Sequence, residues 1–354
     1  MKFINYIFIL FVLLGVVSCD QQEGDDIAQT PVTLKLDLAI PFDGNADSRA
    51  MGDPGVEETF LRPTRLWVFL AVEQKTERYV YSVSFNMAEN KWNLSEDNLS
   101  FSFESEKSCH FEGLDFAKNP VIRAYLIASH DPFSFSQNLV SPAADGQVTV
   151  QKITEEQLTR LTINAYNGSK YVSLRDVYST PYNLNKNGKD MNVSGGTYYG
   201  TVDITGSRTI TLKESLYHVA AKVDFQWNVE SSNAQPNVAK SILIKNAPAV
   251  GYAFRPTERP SSSKFYSKLL LGEEEAEDSS DAVAVNPGNQ WSGRACTYMF
   301  QPGWLEYKFT TVNNEAEGGY HGTADPDELV HGETADIFAS WYKINISIKD
   351  STIE

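Results

Sequence analysis

The first legible element of the chain is an alternation. In Val32-Thr-Leu-Lys-Leu-Asp-Leu-Ala-Ile40, the apolar residues Val32, Leu34, Leu36, Leu38 and Ile40 are separated by Thr33, Lys35, Asp37 and Ala39. Period two over this length predicts a β-strand with one buried face, and Pro41 ends it. Apolar runs at residues 66–72, 79–85 and 121–128 predict strands covered on both faces. Residues 147–150 are short and predict an edge strand. In residues 219–229, Val219, Ala221, Val223, Phe225, Trp227 and Val229 alternate with Ala220, Lys222, Asp224, Gln226 and Asn228, which predicts a second half-buried strand. Others are expected at 241–245, 298–300, 305–312 and 342–348. One helix is predicted, where Thr154-Glu-Glu-Gln157 has capping-box spacing and Leu158 and Leu161 supply a narrow apolar side. Residues 164–200, rich in Tyr, Asn and Gly, read as a surface excursion. Many short strands, Gly/Pro turns and little helix predict a mainly β fold of two β-sandwiches in tandem.

The N-terminus has a different character. Met1-Lys2 precedes an apolar run over residues 3–17, and Val16-Val17-Ser18-Cys19 follows the pattern of small residues before a cleavage point. A positive start, a short apolar core and small residues predict a secretory signal. The run is shorter than the roughly 20 residues a helix needs to cross a bilayer. The segment looks like a bacterial lipobox, which implies that the Cys19 thiol takes a lipid and becomes the new N-terminus. Residues 20–30 are acidic and polar and predict a solvated tether; acidic residues in this place also look like the surface-export signals of Bacteroidota lipoproteins. After the first strand, residues 42–55 are full of turn formers and centred on Arg49. The expected division is a signal peptide at 1–19, a tether and first strand at 20–49 as a propeptide, and domains at 50–212 and 213–354.

Charge and chemistry narrow the functions. The formal net charge of −16 repels a phosphate backbone, and no Lys/Arg stripe offers an exception, so nucleic acid is excluded as a partner. The acidic run at 273–281 predicts a solvated loop. Cys109 and Cys296 are too far apart for a metal motif and too few for a disulfide scaffold, so buried free thiols are expected. His321, Asp325, Asp327, Glu328 and His331 are the nearest approach to a metal cluster, but Gly322, Pro326 and Gly332 mark a polar loop. The chain has no His-Glu-x-x-His, Gly-x-Ser-x-Gly, P-loop or dinucleotide turn. The expectation is a protein with no cofactor, no metal and no enzymatic activity.

Taken in order, the motifs resemble the fimbrillins, the type V pilus subunits of Bacteroidota. The resemblance rests on the lipobox, the alternating first strand and Met51-Gly-Asp-Pro-Gly55 leading to Leu66-Trp-Val-Phe-Leu70. It continues with His218-Val-Ala-Ala-Lys-Val-Asp224, Ser241-Ile-Leu-Ile-Lys-Asn246, Phe254-Arg-Pro-Thr257 and Tyr342-Lys-Ile-Asn-Ile346. It implies two transthyretin-like β-sandwich domains and a structural or adhesive role in a surface fimbrium. It also implies maturation by an arginine-specific protease, which would cut after Arg49 and leave Ala50 as the new N-terminus. Arg62 and Arg65 are poorer sites, because each lies close to the approach of a buried strand. Cleavage would remove the lipid together with Val32, Leu34, Leu36, Leu38 and Ile40, and a strand from another pilus subunit could fill the gap. The expected partners are other pilus subunits, the outer membrane through lipid before maturation, and a host or bacterial surface ligand.

The chain departs from stalk subunits in ending at Glu354, soon after its last alternating strand, which points to a tip or accessory subunit. The alternative, in which residues 342–348 are themselves donated, stays open at this stage. A second function also competes: a permanently anchored cell-surface lipoprotein that binds glycans by stacking Trp67, Trp92, Trp291, Trp304 or Trp341 on sugar rings. Of these, Trp67 and Trp341 lie in expected strands, whereas Trp291 and Trp304 flank Gly/Pro turns and suit a sugar platform better.

Overall fold

The computed structural model describes residues 31–41, 61–88, 91–96, 100–135, 140, 144–165, 172–180, 200–205, 208–230, 239–255, 260–261, 264–272, 284–289, 292–300, 305–311, 315–320 and 341–349. The expected signal peptide, Cys19, Arg49, Ala50, the acidic run at 273–281 and the His321–His331 cluster lie outside these residues. The fold is mainly β, as the alternation predicts. In chain order the first half holds β1 (Val32–Pro41), β2 (Arg65–Gln74), β3 (Glu77–Asn86), β4 (Asn93–Leu94), β5 (Ser100–Cys109), β6 (Val121–Ser129) and β7 (Val148–Gln151). Helix α1 (Glu155–Thr159) follows, then β8 (Thr162–Asn164), β9 (Val177–Ser179), β10 (Gly200–Thr205), β11 (Thr209–Ser215) and β12 (Tyr217–His218). The second half holds β13 (Ala221–Glu230), β14 (Ala239–Pro248), β15 (Val250–Tyr252), β16 (Phe265–Leu271), β17 (Ala284–Asn289), β18 (Ser292–Met299), β19 (Leu305–Thr311), β20 (Glu315–Tyr320) and β21 (Trp341–Lys349).

Sheet membership changes between β12 and β13. Before that point lie a five-stranded sheet in the order β10-β11-β1-β5-β4 and a six-stranded sheet in the order β12-β9-β6-β2-β3-β7. After it lie two four-stranded sheets, β17-β18-β13-β21 and β16-β14-β19-β20. The point expected from sequence, 212/213, falls inside β11, which ladders with β1. The strand is not interrupted there, because Leu212 and Glu214 both face inward on either side of exposed Lys213.

The six-stranded sheet is buried on both faces at its centre, as the apolar runs predict. Leu66, Val68, Leu70 and Val72 face one way on β2, and Phe69 faces the other, where it meets Phe135 and Phe254 edge-on. The expected helix is present with its cap. The Thr154 hydroxyl accepts from the Gln157 N–H at 3.2 Å, and the Gln157 side chain accepts from the Thr154 N–H at 2.9 Å. Leu158 and Leu161 are fully buried under it, and Glu155 holds the Arg123 guanidinium and the Tyr125 hydroxyl. The predicted edge strand is β7, on the margin of its sheet. The surface excursion contains β9, a short buried strand that the sequence did not announce.

The two halves meet through short-range aromatic and backbone contacts. β8 ladders with β15, and the His218 ring lies between Tyr178 and Tyr298, with ring centroids 4.7 and 5.0 Å away. Burial keeps this imidazole neutral by pushing its pKa down to about 3. Lys222, which the alternation assigned to solvent, is buried near this junction, close enough to His218 to act on its charge.

Candidate functional site

The place that β1 occupies is the candidate site, and the sequence explains how the strand comes to lie there. Its five alternate apolar side chains need a covered face, and the hydrophobic core supplies one. Val32, Leu34, Leu36, Leu38 and Ile40 are all buried to 3% exposure or less. Each contributes on the order of 1.5–3 kcal/mol by leaving water. On one side β1 runs antiparallel to β5 over its whole length, from Val32 opposite Cys109 to Pro41 opposite Ser100. On the other side it runs parallel to β11, from Thr33 beside Thr209 to Ala39 beside Ser215. Two further backbone bonds close the ends: Thr33 N–H to the Arg208 carbonyl at 3.0 Å, and Leu216 N–H to the Ala39 carbonyl at 2.8 Å. β1 is therefore an interior strand with ladders on both sides. Removing it would leave two facing rows of backbone donors and acceptors without their ladder partners.

The walls of this slot are only partly apolar. From β5, Phe101 and Phe103 face inward, followed by Ser105, Lys107 and Cys109 on the same side of the pleat. The Lys107 ammonium lies 5.6 Å from the centroid of the Phe85 ring. From β11, Ile210 and Leu212 face inward, and so does Glu214, beside Leu38 of β1. Glu214 is 5% exposed, and burial pushes its carboxyl up to about 8, so it is held as the neutral acid at neutral pH. The outward rims carry charge. Lys35 is 3.1 Å from Glu106, and Lys213 is 3.6 Å from Asp37.

Cys109 sits at the mouth of the slot opposite Val32, buried and free, and burial raises its thiol pKa. A reagent that needs exposed thiolate should therefore react slowly with Cys109 while β1 is docked and quickly once β1 is withdrawn. A Cys19→Ser/Cys296→Ser background isolates this thiol, and equal labelling rates in both states would show that β1 does not cover it.

The other expected site residues fall as follows. Trp92 is no sugar platform: it is buried to 1% and stacks on Phe103, with centroids 5.1 Å apart. Its indole fills the space beneath β5, which the polar residues around it in sequence gave no reason to expect. Trp67 is half-buried and packs on Phe69 and Phe135. Trp291 and Trp304 lie outside the described residues, and Trp341 begins β21. Cys109 and Cys296 are both buried free thiols, as expected. Among the described residues, no group of His, Cys, Asp and Glu is placed to hold a metal ion. Among them too, no helix is long and apolar enough to cross a membrane.

No protein-family model and no curated protein matches the chain. Solved structures do. A candidate cell adhesion protein from Parabacteroides distasonis is 14% identical, with 90% of each chain covered and a TM-score of 0.47. A candidate adhesin from Bacteroides ovatus is 14% identical, covering 93% of this chain and 91% of its own, with a TM-score of 0.40. The fimbrial anchor protein Mfa2 from Porphyromonas gingivalis is 10% identical, with 90% of each chain covered and a TM-score of 0.41. Over most of its length, the chain is thus similar to solved candidate adhesins and to a fimbrial anchor of Bacteroidota.

Proposed function

We propose that this protein is a structural and adhesive subunit of a bacterial surface fimbrium, exported as a lipoprotein precursor and assembled by strand exchange after its first strand is removed. The observation that carries the reading is the seat of β1. A strand joined to the rest of the chain only through residues 42–60 fills the interior of a sheet and is laddered on both sides. That connecting segment carries Arg49, so one cut would separate the strand from everything that holds it by covalent bonds. The gap then has the form that β-strand addition needs: open backbone rows and a run of apolar pockets at alternate positions. The order of motifs that resembles the fimbrillins supports the same reading. No step in it requires enzymatic activity or a cofactor.

The seating of β21 supports a tip or accessory position. β21 is parallel to β13 and in register with it from Trp341 beside Lys222 to Lys349 beside Glu230. A strand engaged along its whole length in its own sheet is not free to be given away. The anchored glycan-binding alternative loses Trp92 to the core.

The N-terminus of protein recovered from the cell surface tests the proposal. Ala50 is the expected first residue in assembled material, found by mass spectrometry. Lipidated Cys19 in all surface material would overturn maturation and leave a permanently anchored lipoprotein.

A further inference from the structure

The inward face of β1 cannot by itself fix where a replacement strand sits. Leu34, Leu36 and Leu38 are the same residue at successive inward positions, so a slide by two residues keeps apolar side chains in the pockets. A slide by one residue is excluded, because it turns the whole apolar set to solvent. The outward face is not degenerate. Lys35 lies between Glu106 of β5 and Thr211 of β11, and Asp37 lies between Glu104 and Lys213. On either side of these, Thr33 is flanked by Ser108 and Thr209, and Ala39 by Ser102 and Ser215. Charge is thus confined to the two central outward positions, where Lys35 pairs with Glu106 and Asp37 with Lys213.

A two-residue slide in one direction would move the anion next to Glu106 and the cation to a neutral site. A slide in the other direction would set the cation between Lys213, which repels it, and Glu104, which attracts it, and strand the anion among serines. Both break the two ion pairs: the first sets two anions directly across a ladder, which is unfavourable, and the second exchanges two pairs for one attraction offset by one repulsion.

We infer that Glu106 and Lys213 select the strand that this slot accepts and set its register. The partner is a segment with apolar residues at alternate positions, a cation in the place of Lys35 and an anion two residues later in the place of Asp37. The inference rests on the strand-exchange reading above and adds the chemistry of the partner to it. The last strand of this same chain meets the code only in part. In Tyr342-Lys-Ile-Asn-Ile-Ser-Ile348, Lys343 can stand for Lys35, but neutral Asn345 would then stand for Asp37. A second copy of this chain would therefore supply one of the two ion pairs.

The test uses the full chain nicked after Arg49, unfolded in urea and refolded with an excess of labelled synthetic peptide. The probes are residues 30–41 in native sequence, the same peptide with Lys35→Asp and Asp37→Lys, and residues 341–349. The native peptide should compete on equal terms with the chain's own fragment and restore the shielding of Cys109. The exchanged peptide should be incorporated roughly 3- to 10-fold less, since both exposed pairs become repulsions and only the contact with Glu104 improves. It should recover in a chain carrying Glu106→Lys and Lys213→Glu. The 341–349 peptide should fall between the two. Equal incorporation of native and exchanged peptides, or no recovery in the altered chain, overturns the charge code. Failure of the native peptide to enter at all overturns strand exchange itself.

Discussion

Replacing Leu36 with Asp is expected to cost the uncleaved chain several kcal/mol of stability, and to cost the chain without its first strand nothing. Leu36 is 3% exposed and points inward at the middle of β1, opposite Ser105 and beside Leu212. Two penalties add at this place. Truncation of a buried leucine alone costs about 2–5 kcal/mol, and a carboxyl taken into the same pocket must either stay charged without a partner or take up a proton. The strand can avoid both by leaving the sheet, but that forfeits its other four buried side chains and both ladders. Urea unfolding of precursor, variant and Ala50-started chain gives the comparison. Leu36→Ala serves as the milder variant should the aspartate prevent folding altogether. Equal midpoints for precursor and both variants would show that β1 is not docked in a core.

The second large effect is a dependence of stability on pH that belongs to one carboxyl. Glu214 holds its proton up to about pH 8 in the folded chain, because burial beside β1 penalises the charged form, whereas an unfolded glutamate releases it near 4.5. Between these values the folded chain binds one proton more than the unfolded chain. The stability that goes with that proton is complete below pH 4.5, declines as pH rises, and is gone above about 8. At about 1.4 kcal/mol per unit, the loss across this window is on the order of 5 kcal/mol. Glu214→Gln removes the titration and keeps the shape, so the difference between native and variant stability should slope through the window and flatten on either side of it. A difference that does not vary between pH 5 and 8 would mean that the carboxyl is not buried when β1 is seated. Glu214→Leu should be the more stable chain at pH 8, since it fills the same place without a group to ionise.

The sequence announced the occupant of the slot and missed its walls. β1 was legible because all five of its inward residues are apolar and all its outward ones are small or polar. β5 was not, because its inward row runs Phe101, Phe103, Ser105, Lys107, Cys109, and the alternation dissolves after two positions. β11 was missed for a related reason. Its inward row ends in Glu214, a residue type that period counting assigns to water. Both strands are held in place by the pairing with β1, a long-range effect that no local window contains. The helix was legible down to its cap because a capping box is a local device, closed within four residues. Trp92 was misread since an isolated indole among polar neighbours carries no period at all, and what buries it is Phe103, brought in from β5. Tertiary pairing therefore decided the parts that were hidden, and local chemistry the parts that were visible.

The parallel ladder between β1 and β11 also imposes an order of events on a newly made chain. The residues of β1 emerge before those of every other described strand, and β5 can meet them soon afterwards. The second wall reaches them only when residues 209–215 have followed, after the entire six-stranded sheet apart from β12 has been made. Contacts so distant along the chain form slowly, because the loop must close before any of them repays the lost entropy. Throughout that interval the most regularly apolar strand of the molecule has one open edge. The new chain is then at its most vulnerable to the wrong neighbour, and the closing of β11 over β1 is the step that ends the exposure.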